Sequence, residues 1–210
     1  MKKIAFFGDS VTEGSFEIKA PAEPGSAYHA LLGKRLPDIC TVNAGVGGDR
    51  AQNGLDRIQA DVLAHCPDLT VVCFGLNDIP AGKEGLHGYL QALEGIFTML
   101  SPEKTIFMTP NMLNTYVHPQ VDPDYRSFAG IAARCQLDGT ADAYLEDAVK
   151  LAGAMGVTVC NCYQQWKKLW QYGIDTTELL ANYINHPTRK MHGLFADALY
   201  PLVISKLKEC

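Results

Sequence analysis

The chain has 210 residues, of which 47% are hydrophobic and 20% charged, and a formal net charge of −5. This length is typical of one α/β domain whose core is large enough to be stable without disulfides, so we expect a single domain over residues 1–210. The negative charge argues against nucleic acid or an anionic membrane as the main partner, because both need a basic surface.

The N-terminal segment and the cysteines indicate a compartment. The first apolar run stops at Gly8 and Asp9, short of the roughly 7–15 apolar residues of a secretory core, and no stretch approaches the roughly 20 needed to cross a bilayer. An odd number of cysteines without an export signal indicates reduced thiols, and we interpret the close pair Cys160 and Cys162 as small core residues, not as zinc ligands. We therefore expect a cytoplasmic protein. The seven are Cys40, Cys66, Cys73, Cys135, Cys160, Cys162 and Cys210.

Short apolar runs alternate with helical spacing along the chain. The runs cover residues 3–7, 39–42, 69–74, 105–108 and 157–160. Helices are predicted at about residues 28–36, 55–63, 85–100, 141–154 and 192–208. This alternation is typical of βα units with right-handed crossovers. It predicts an α/β fold, a three-layer α/β/α sandwich around a flavodoxin-like parallel sheet of five strands.

Residues 111–138 form a long segment between two predicted elements, with Pro119 and Pro123 inside it. Loops of this length in compact domains are usually functional or mobile. A lid over a binding site and a structural loop with one short helix are both consistent with it.

Polar or Gly-rich residues follow the first three predicted strands. Ser10 follows the first, Gly45 to Asp49 follow the second and Asn77 follows the third. In parallel sheets, ligands bind outside the carboxyl ends of the strands, so we expect these residues at one binding edge.

Each of these groups has a chemical and a structural interpretation. A serine at a strand-to-helix turn exposes its hydroxyl where helix N–H groups favour negative charge, but Asp9, Ser10 or Thr12 as a helix cap explains the motif equally well. The glycines after the second strand lack the third glycine of a dinucleotide fingerprint, since Arg50 occupies its place. They offer bare backbone N–H groups instead, and Asn77 adds uncharged amide donors.

A histidine precedes the last predicted helix. Pro187 restrains His186 to an extended backbone, which suits a side chain held at a fixed angle. His192 lies six residues on, a poor spacing for a pair of metal ligands on one helix face. We expect no metal and no organic cofactor.

Together, these blocks match a known pattern. Gly8-Asp9-Ser10, residues 43–49, Gly75-Leu76-Asn77-Asp78 and Asn185-His186-Pro187 occur in the order of the SGNH hydrolases, also called the GDSL esterase/lipase superfamily, which the sequence resembles from residue 8 to residue 187. The resemblance implies that Ser10 is the nucleophile and His186 its base. It also implies an oxyanion hole made of the N–H groups of Ser10 and Gly48 and the amide of Asn77. This fits the chemistry, because a serine hydroxyl is a weak nucleophile until an imidazole takes its proton.

Two positions depart from the family pattern. Val11 replaces the leucine of Gly-Asp-Ser-Leu, and Tyr183 stands three residues before the histidine, where the family usually has an aspartate. The third member of the triad is therefore open. A Ser–His dyad with a backbone carbonyl on the imidazole, or Asn182 in that role, is preferred over a carboxylate from Asp175 or Glu178.

The resemblance implies hydrolysis of a carboxylic ester through an acyl-serine. The expected partner is a small soluble ester, such as an O-acetylated carbohydrate. Two alternatives stay open, an acyltransferase with the same acyl-serine and a non-catalytic binding module on the same fold. The oligomeric state is not readable from the sequence. Four aromatic residues are candidates for sugar stacking or for ordinary packing, Trp166, Trp170, Tyr172 and Tyr183.

Overall fold

Five parallel strands form the central sheet of the protein. The computed structural model describes residues 1–209, so Cys210 lies outside the described residues. The sheet order is β2-β1-β3-β4-β5, the flavodoxin-like order that the sequence predicts. The α/β fold class is therefore confirmed. The strands are β1 (Lys2–Gly8), β2 (Ile39–Gly45), β3 (Leu69–Cys73), β4 (Thr105–Met108) and β5 (Thr158–Cys160).

Helices cover both faces of the sheet. Helix α2 packs against α8, whereas α4 packs against both α3 and α6. The helices are α1 (Ser10–Glu13), α2 (Tyr28–Arg35), α3 (Ala51–Asp61), α4 (Leu86–Leu100), α5 (Arg126–Leu137), α6 (Thr140–Ala154), α7 (Cys162–Gln171) and α8 (Arg189–Glu209). Within residues 1–209, no helix is both long enough and apolar enough to cross a membrane.

The sheet register brings the ends of three strands together. Gly8 of β1 pairs with Gly45 of β2 on one side and with Cys73 of β3 on the other. The sheet order changes direction at β1, because β2 lies on one side of it and β3 to β5 on the other. Such a switch point leaves a crevice at the carboxyl edge, and the chain reaches Ser10 there.

Two helices go beyond the sequence expectations. Residues 126–137 of the long segment form helix α5, longer than the one short helix considered there, and its apolar signal is weak because its buried side chains are mainly small, such as Ala129 and Ala132. Helix α7 was not predicted. Cys160 and Cys162 are buried, in agreement with their interpretation as core residues.

Candidate active site

The turn from β1 into α1 presents Ser10. Asp9 caps the helix, because its Oδ1 accepts the N–H of Val11 at 3.0 Å. Gly8 permits the turn, since a Cβ there would lie 2.3 Å from Oγ1 of Thr12 and 2.4 Å from the carbonyl oxygen of Cys73. The sequence left open whether this motif caps a helix or presents a serine at the sheet edge. Both occur, since Asp9 caps the helix and Ser10 lies at the edge.

The imidazole of His186 contacts Ser10 across 176 residues of sequence. Its Nε2 lies 2.9 Å from Oγ of Ser10, and its Nδ1 lies 3.2 Å from the carbonyl oxygen of Phe16. A carbonyl oxygen only accepts hydrogen bonds, so Nδ1 carries the proton and Nε2 presents its lone pair to the serine hydroxyl. This tautomer is the one that a general base toward serine requires.

The sequence predicted a backbone carbonyl as a partner of the imidazole but did not identify the residue, which is Phe16. Gly14 ends α1 in the left-handed region (φ 98°) and turns the chain back toward His186. The buried ring of Phe16 then packs against the ring of His192, with centroids 5.0 Å apart, and the guanidinium of Arg189 lies 4.6 Å from its centroid. These contacts hold the carbonyl in place.

Asn182 holds the loop of His186 but does not contact the imidazole. Its Oδ1 accepts the backbone N–H groups of Ile184, Asn185 and His186, each at 3.0 Å. Its Nδ2 donates to Oδ1 of Asn185 at 2.8 Å. Asn182 is therefore a backbone acceptor in this structure, not the imidazole partner considered from the sequence.

The two carboxylates considered as triad members have other partners. Asp175 accepts hydrogen bonds from the Tyr116 hydroxyl at 2.8 Å and from the N–H of Thr177 at 3.0 Å. Glu178 lies 3.0 Å from Nε2 of His118. Tyr183, at the position of the family's aspartate, has a φ of 57° and stacks on His118 with centroids 4.0 Å apart. Among residues 1–209, no carboxylate therefore takes the place of the missing aspartate.

Gly48 and Asn77 face the same cavity as Ser10. Gly48 has a φ of 82°, in the region that favours glycine, and no heavy atom would lie within 4 Å of an added Cβ. Nδ2 of Asn77 donates to the carbonyl oxygen of Asp49 at 2.9 Å. That bond uses one amide hydrogen and orients the group, which leaves the second hydrogen for a ligand.

Arg57 connects the strand ends beneath this site. Its guanidinium donates to the carbonyl oxygen of Gly8 at 3.0 Å and to that of Ala44 at 2.9 Å. Its Nε lies 2.6 Å from the carboxylate of Asp49, and its guanidinium carbon lies 4.8 Å from the ring centroid of Phe7. The loop that carries Gly48 is thereby fixed to the ends of β1 and β2.

Burial shifts the pKa of several groups here. It lowers the pKa of His186, although the hydrogen bond to Phe16 and the charge of Glu13 oppose the shift. Burial, with the nearby carboxylates of Asp78 and Asp49, raises the pKa of Asp9 to about 7. Burial also raises the pKa of Asp78, which accepts the N–H of Ala51 at the start of α3, to about 6. The imidazole of His186 is therefore neutral at pH 7, which is the form that a general base needs.

One cavity of about 670 Å³ is lined by Ser10, Gly48, Asn77 and His186 together. Trp166 is buried and, like Trp170, Tyr172 and Tyr183, does not line the cavity, so the aromatic faces beside Ser10 come from Tyr125 and Phe128. Within residues 1–209, no cluster of three or more His, Cys, Asp or Glu side chains is suited to hold a metal ion. The lining residues are Ser10, Glu13, Ser15, Glu17, Ile18, Ala20, Gly47, Gly48, Asn77, Asp124, Tyr125, Phe128, Asn182, Ile184, Asn185 and His186.

Comparison with known proteins identifies the family. The profile of the GDSL-like Lipase/Acylhydrolase family matches residues 6–194. The chain belongs to this family. Membership confirms the resemblance to the GDSL esterase/lipase superfamily that was inferred from the four sequence blocks.

Individual relatives are more distant. The chain is 31% identical over 88 residues to an arylesterase from Vibrio mimicus, covering 42% of this chain and 40% of that protein. It is 26% identical over 147 residues to platelet-activating factor acetylhydrolase IB subunit alpha1 from Rattus norvegicus, covering 70% and 58%. The matched regions thus span about half the length of these relatives.

Solved structures with the same fold include two esterase-type enzymes. The lipase/acylhydrolase from Enterococcus faecalis aligns with a TM-score of 0.73 at 23% identity, covering 97% of this chain and 95% of that one. The acetyl xylan esterase AlAXEase aligns with a TM-score of 0.73 at 19% identity, covering 96% and 99%. At these identities the likeness shows the shared fold.

Proposed function

We propose that this protein is a serine esterase that hydrolyses small carboxylic esters through an acyl-serine. The observation that carries the proposal is the 2.9 Å contact between Nε2 of His186 and Oγ of Ser10, with Nδ1 on the carbonyl of Phe16. A binding module has no need for an imidazole oriented in this tautomer beside a serine. Membership of the GDSL-like Lipase/Acylhydrolase family supports the same activity.

The reaction follows from the geometry. Nε2 of His186 takes the proton of Ser10 as Oγ attacks the ester carbonyl, and the carbonyl oxygen becomes negative. The N–H groups of Ser10 and Gly48 and the free amide hydrogen of Asn77 then stabilise that charge, one such donor being worth about 3–4 kcal/mol. His186 returns the proton to the leaving alcohol. A water molecule, deprotonated by the same nitrogen, releases the acid from Ser10.

The finer proposal is an ester of an O-acetylated carbohydrate. The cavity volume of about 670 Å³ lies in the range of small-molecule sites and exceeds what an acetyl group alone fills. Tyr125 and Phe128 supply apolar faces beside polar groups, a combination that suits a sugar ring. Acetyl xylan esterases among the proteins of the same fold support this class.

A fluorophosphonate probe tests the nucleophile. We expect labelling of the wild-type protein and none of Ser10→Ala, while Ser127→Ala, which changes an exposed serine of α5, is labelled as the wild type is. Hydrolysis of 4-nitrophenyl acetate should disappear in Ser10→Ala. A folded wild-type protein that neither labels nor hydrolyses this ester would instead favour the binding module.

Three further assays refine the proposal. Asn77→Ala should lower kcat on 4-nitrophenyl acetate by about 10²–10³-fold, because the oxyanion loses one donor. Acetate release from an acetylated xylo-oligosaccharide tests the carbohydrate class. Product analysis with an added sugar acceptor separates hydrolysis from acyl transfer, since only a transferase forms a new sugar ester.

A further inference from the structure

The acidic wall of the cavity distinguishes it from a neutral ester site. Three of the cavity residues are carboxylates, Glu13, Glu17 and Asp124, whereas no lysine or arginine lines it. The carboxylates of Asp124 and Asp122 share Nζ of Lys19, at 2.9 and 2.8 Å, and both Asp124 and Glu17 are exposed to solvent. Glu13 is only partly exposed, so its charge is the least screened of the three.

Glu13 is built into the catalytic turn itself. It ends α1 three residues after Ser10, and its Oε2 accepts the hydroxyl hydrogen of Ser15 at 2.8 Å. On its other side the carboxylate abuts Gly47, where an added Cβ would lie 2.9 Å from Oε2. The carboxylate is therefore fixed beside the loop that carries Gly48.

The charge of Glu13 has no cationic partner among residues 1–209, where the ion pairs involve other acidic side chains. Its side chain is only partly exposed and faces the cavity. A half-buried carboxylate without a counter-ion attracts a cation or a hydroxyl donor and repels an anion. The catalytic reaction as derived above does not use it.

We propose that Glu13 is a specificity-determining residue, which favours esters with a cationic or hydroxyl-bearing group and rejects esters that carry an anionic group near the scissile bond. The inference rests on the proposed esterase function and narrows its substrate class. A neutral polyol such as a partly acetylated sugar fits this rule, whereas acetylated sugar phosphates and acetylated uronic acids with a free carboxylate do not.

Three acetate esters test the charge rule. Acetylcholine and 3,3-dimethylbutyl acetate are a cationic and neutral pair of nearly equal shape, and 3-acetoxypropanesulfonate is anionic. We expect kcat/KM to fall from the cationic to the neutral to the anionic ester. Glu13→Gln should lower the ratio of kcat/KM for the cation to kcat/KM for the neutral ester, and raise the ratio for the anion to that for the neutral ester, each by about 3–10-fold.

Controls separate this role from others. Glu94→Gln, an exposed carboxylate of α4, should change none of the three values. The preference of the wild-type protein should also shrink between 20 and 500 mM salt, which provides a test if Glu13→Gln does not fold. An equal loss on all three esters, or no charge preference in the wild type, overturns the proposal. Failure of the esterase function is distinguishable, because Ser10 labelling and the neutral ester report it separately.

Discussion

The imidazole of His186 faces a neutral carbonyl oxygen, which distinguishes this site from a triad at the residue scale. A carboxylate would attract the imidazolium and raise the pKa of the base. Here burial dominates and lowers the pKa of His186 instead. The side chain is 8% exposed, so the imidazolium is poorly hydrated as well.

The pH dependence of catalysis follows from that environment. Protonation of Nε2 removes the acceptor for the Ser10 proton, so activity is present above the pKa of His186 and lost below it. We expect the acid limb of kcat/KM for 4-nitrophenyl acetate to have its midpoint below 6.5, the ordinary value for histidine. A midpoint above 7 would indicate a carboxylate partner that this structure does not contain.

The carboxylates of the preceding loop provide a second prediction. Asp175 and Glu178 bind Tyr116, Thr177 and His118, not the imidazole. The double variant Asp175→Ala/Glu178→Ala should therefore keep kcat/KM within a few-fold of the wild type, measured on the same ester. A loss of about 10⁴-fold, the size expected for a true triad acid, would contradict the dyad. His186→Ala supplies the reference for full loss of the base.

The loop before α8 is the element that sets the direction of the histidine. Leu180 and Pro187 form an antiparallel bridge, and the N–H of Ala181 donates to the carbonyl of His186 at 2.7 Å. The neighbouring segment supports it, since Nδ2 of Asn111 donates to the carbonyl of Asn185 at 2.9 Å. Residues 111–114 therefore act as a support for the histidine loop, and not as a lid.

Asn182 allows this loop to be tested. Asn182→Ala leaves three buried N–H groups without their acceptor, each such loss costing about 1–3 kcal/mol. We expect kcat to fall at least about tenfold, with a smaller change in KM, because the base is misplaced. Asn182→Asp keeps the acceptor oxygen and should restore most of kcat. Equal activity of the alanine and aspartate variants would show that the loop holds its shape without this oxygen.

The sequence predicted the parts of this site that depend on side-chain type and strand order. Ser10, Gly48 and Asn77 follow strand ends and His186 precedes the last helix, each with recognisable chemistry, and the structure brings them to one cavity. The carbonyl of Phe16 has no side-chain signature, since any residue could supply it, and only the folded turn at Gly14 shows its direction. The sequence could not predict the role of Asn182 for a similar reason, because its partners are main-chain N–H groups.

On the scale of the whole molecule, strand prediction worked because parallel strands are continuously apolar, as in β3, where every residue is buried. Two helices gave weak signals. Helix α5, considered only as one short helix in a loop, buries mainly small residues and gives a weak apolar period. Helix α7, which was not predicted, buries only Cys162, Tyr163 and Trp166, and most of its other residues are polar or charged. Packing in three dimensions, not propensity, makes both helical.

Buried histidines and buried aspartates have opposite effects on how the stability of the fold depends on pH. Burial lowers the pKa of His29 to about 4 and that of His192 to about 3, whereas it raises the pKa of Asp9 to about 7 and that of Asp78 to about 6. Below pH 6.5 the histidines bind protons in the unfolded chain but not in the folded protein, so stability is lost as the pH falls. The two carboxylates act in the other direction, because their folded forms bind protons first and gain stability on acidification from pH 7 toward 4.

Replacing one buried histidine isolates its contribution to the pH dependence of the unfolding free energy. The buried ring of His29 packs against Phe6, leaves Nε2 without a partner and hydrogen-bonds the backbone of Thr12. His29→Leu therefore removes a titrating group together with one hydrogen bond, and the loss of that bond lowers stability at both pH values. From pH 7 to pH 5, the wild type should lose about 1–2 kcal/mol more unfolding free energy than this variant, as measured by urea denaturation at both pH values. His87→Leu, an exposed control on α4, should behave as the wild type does. An unchanged pH difference in His29→Leu would mean that His29 is charged, and hydrated, in the folded protein.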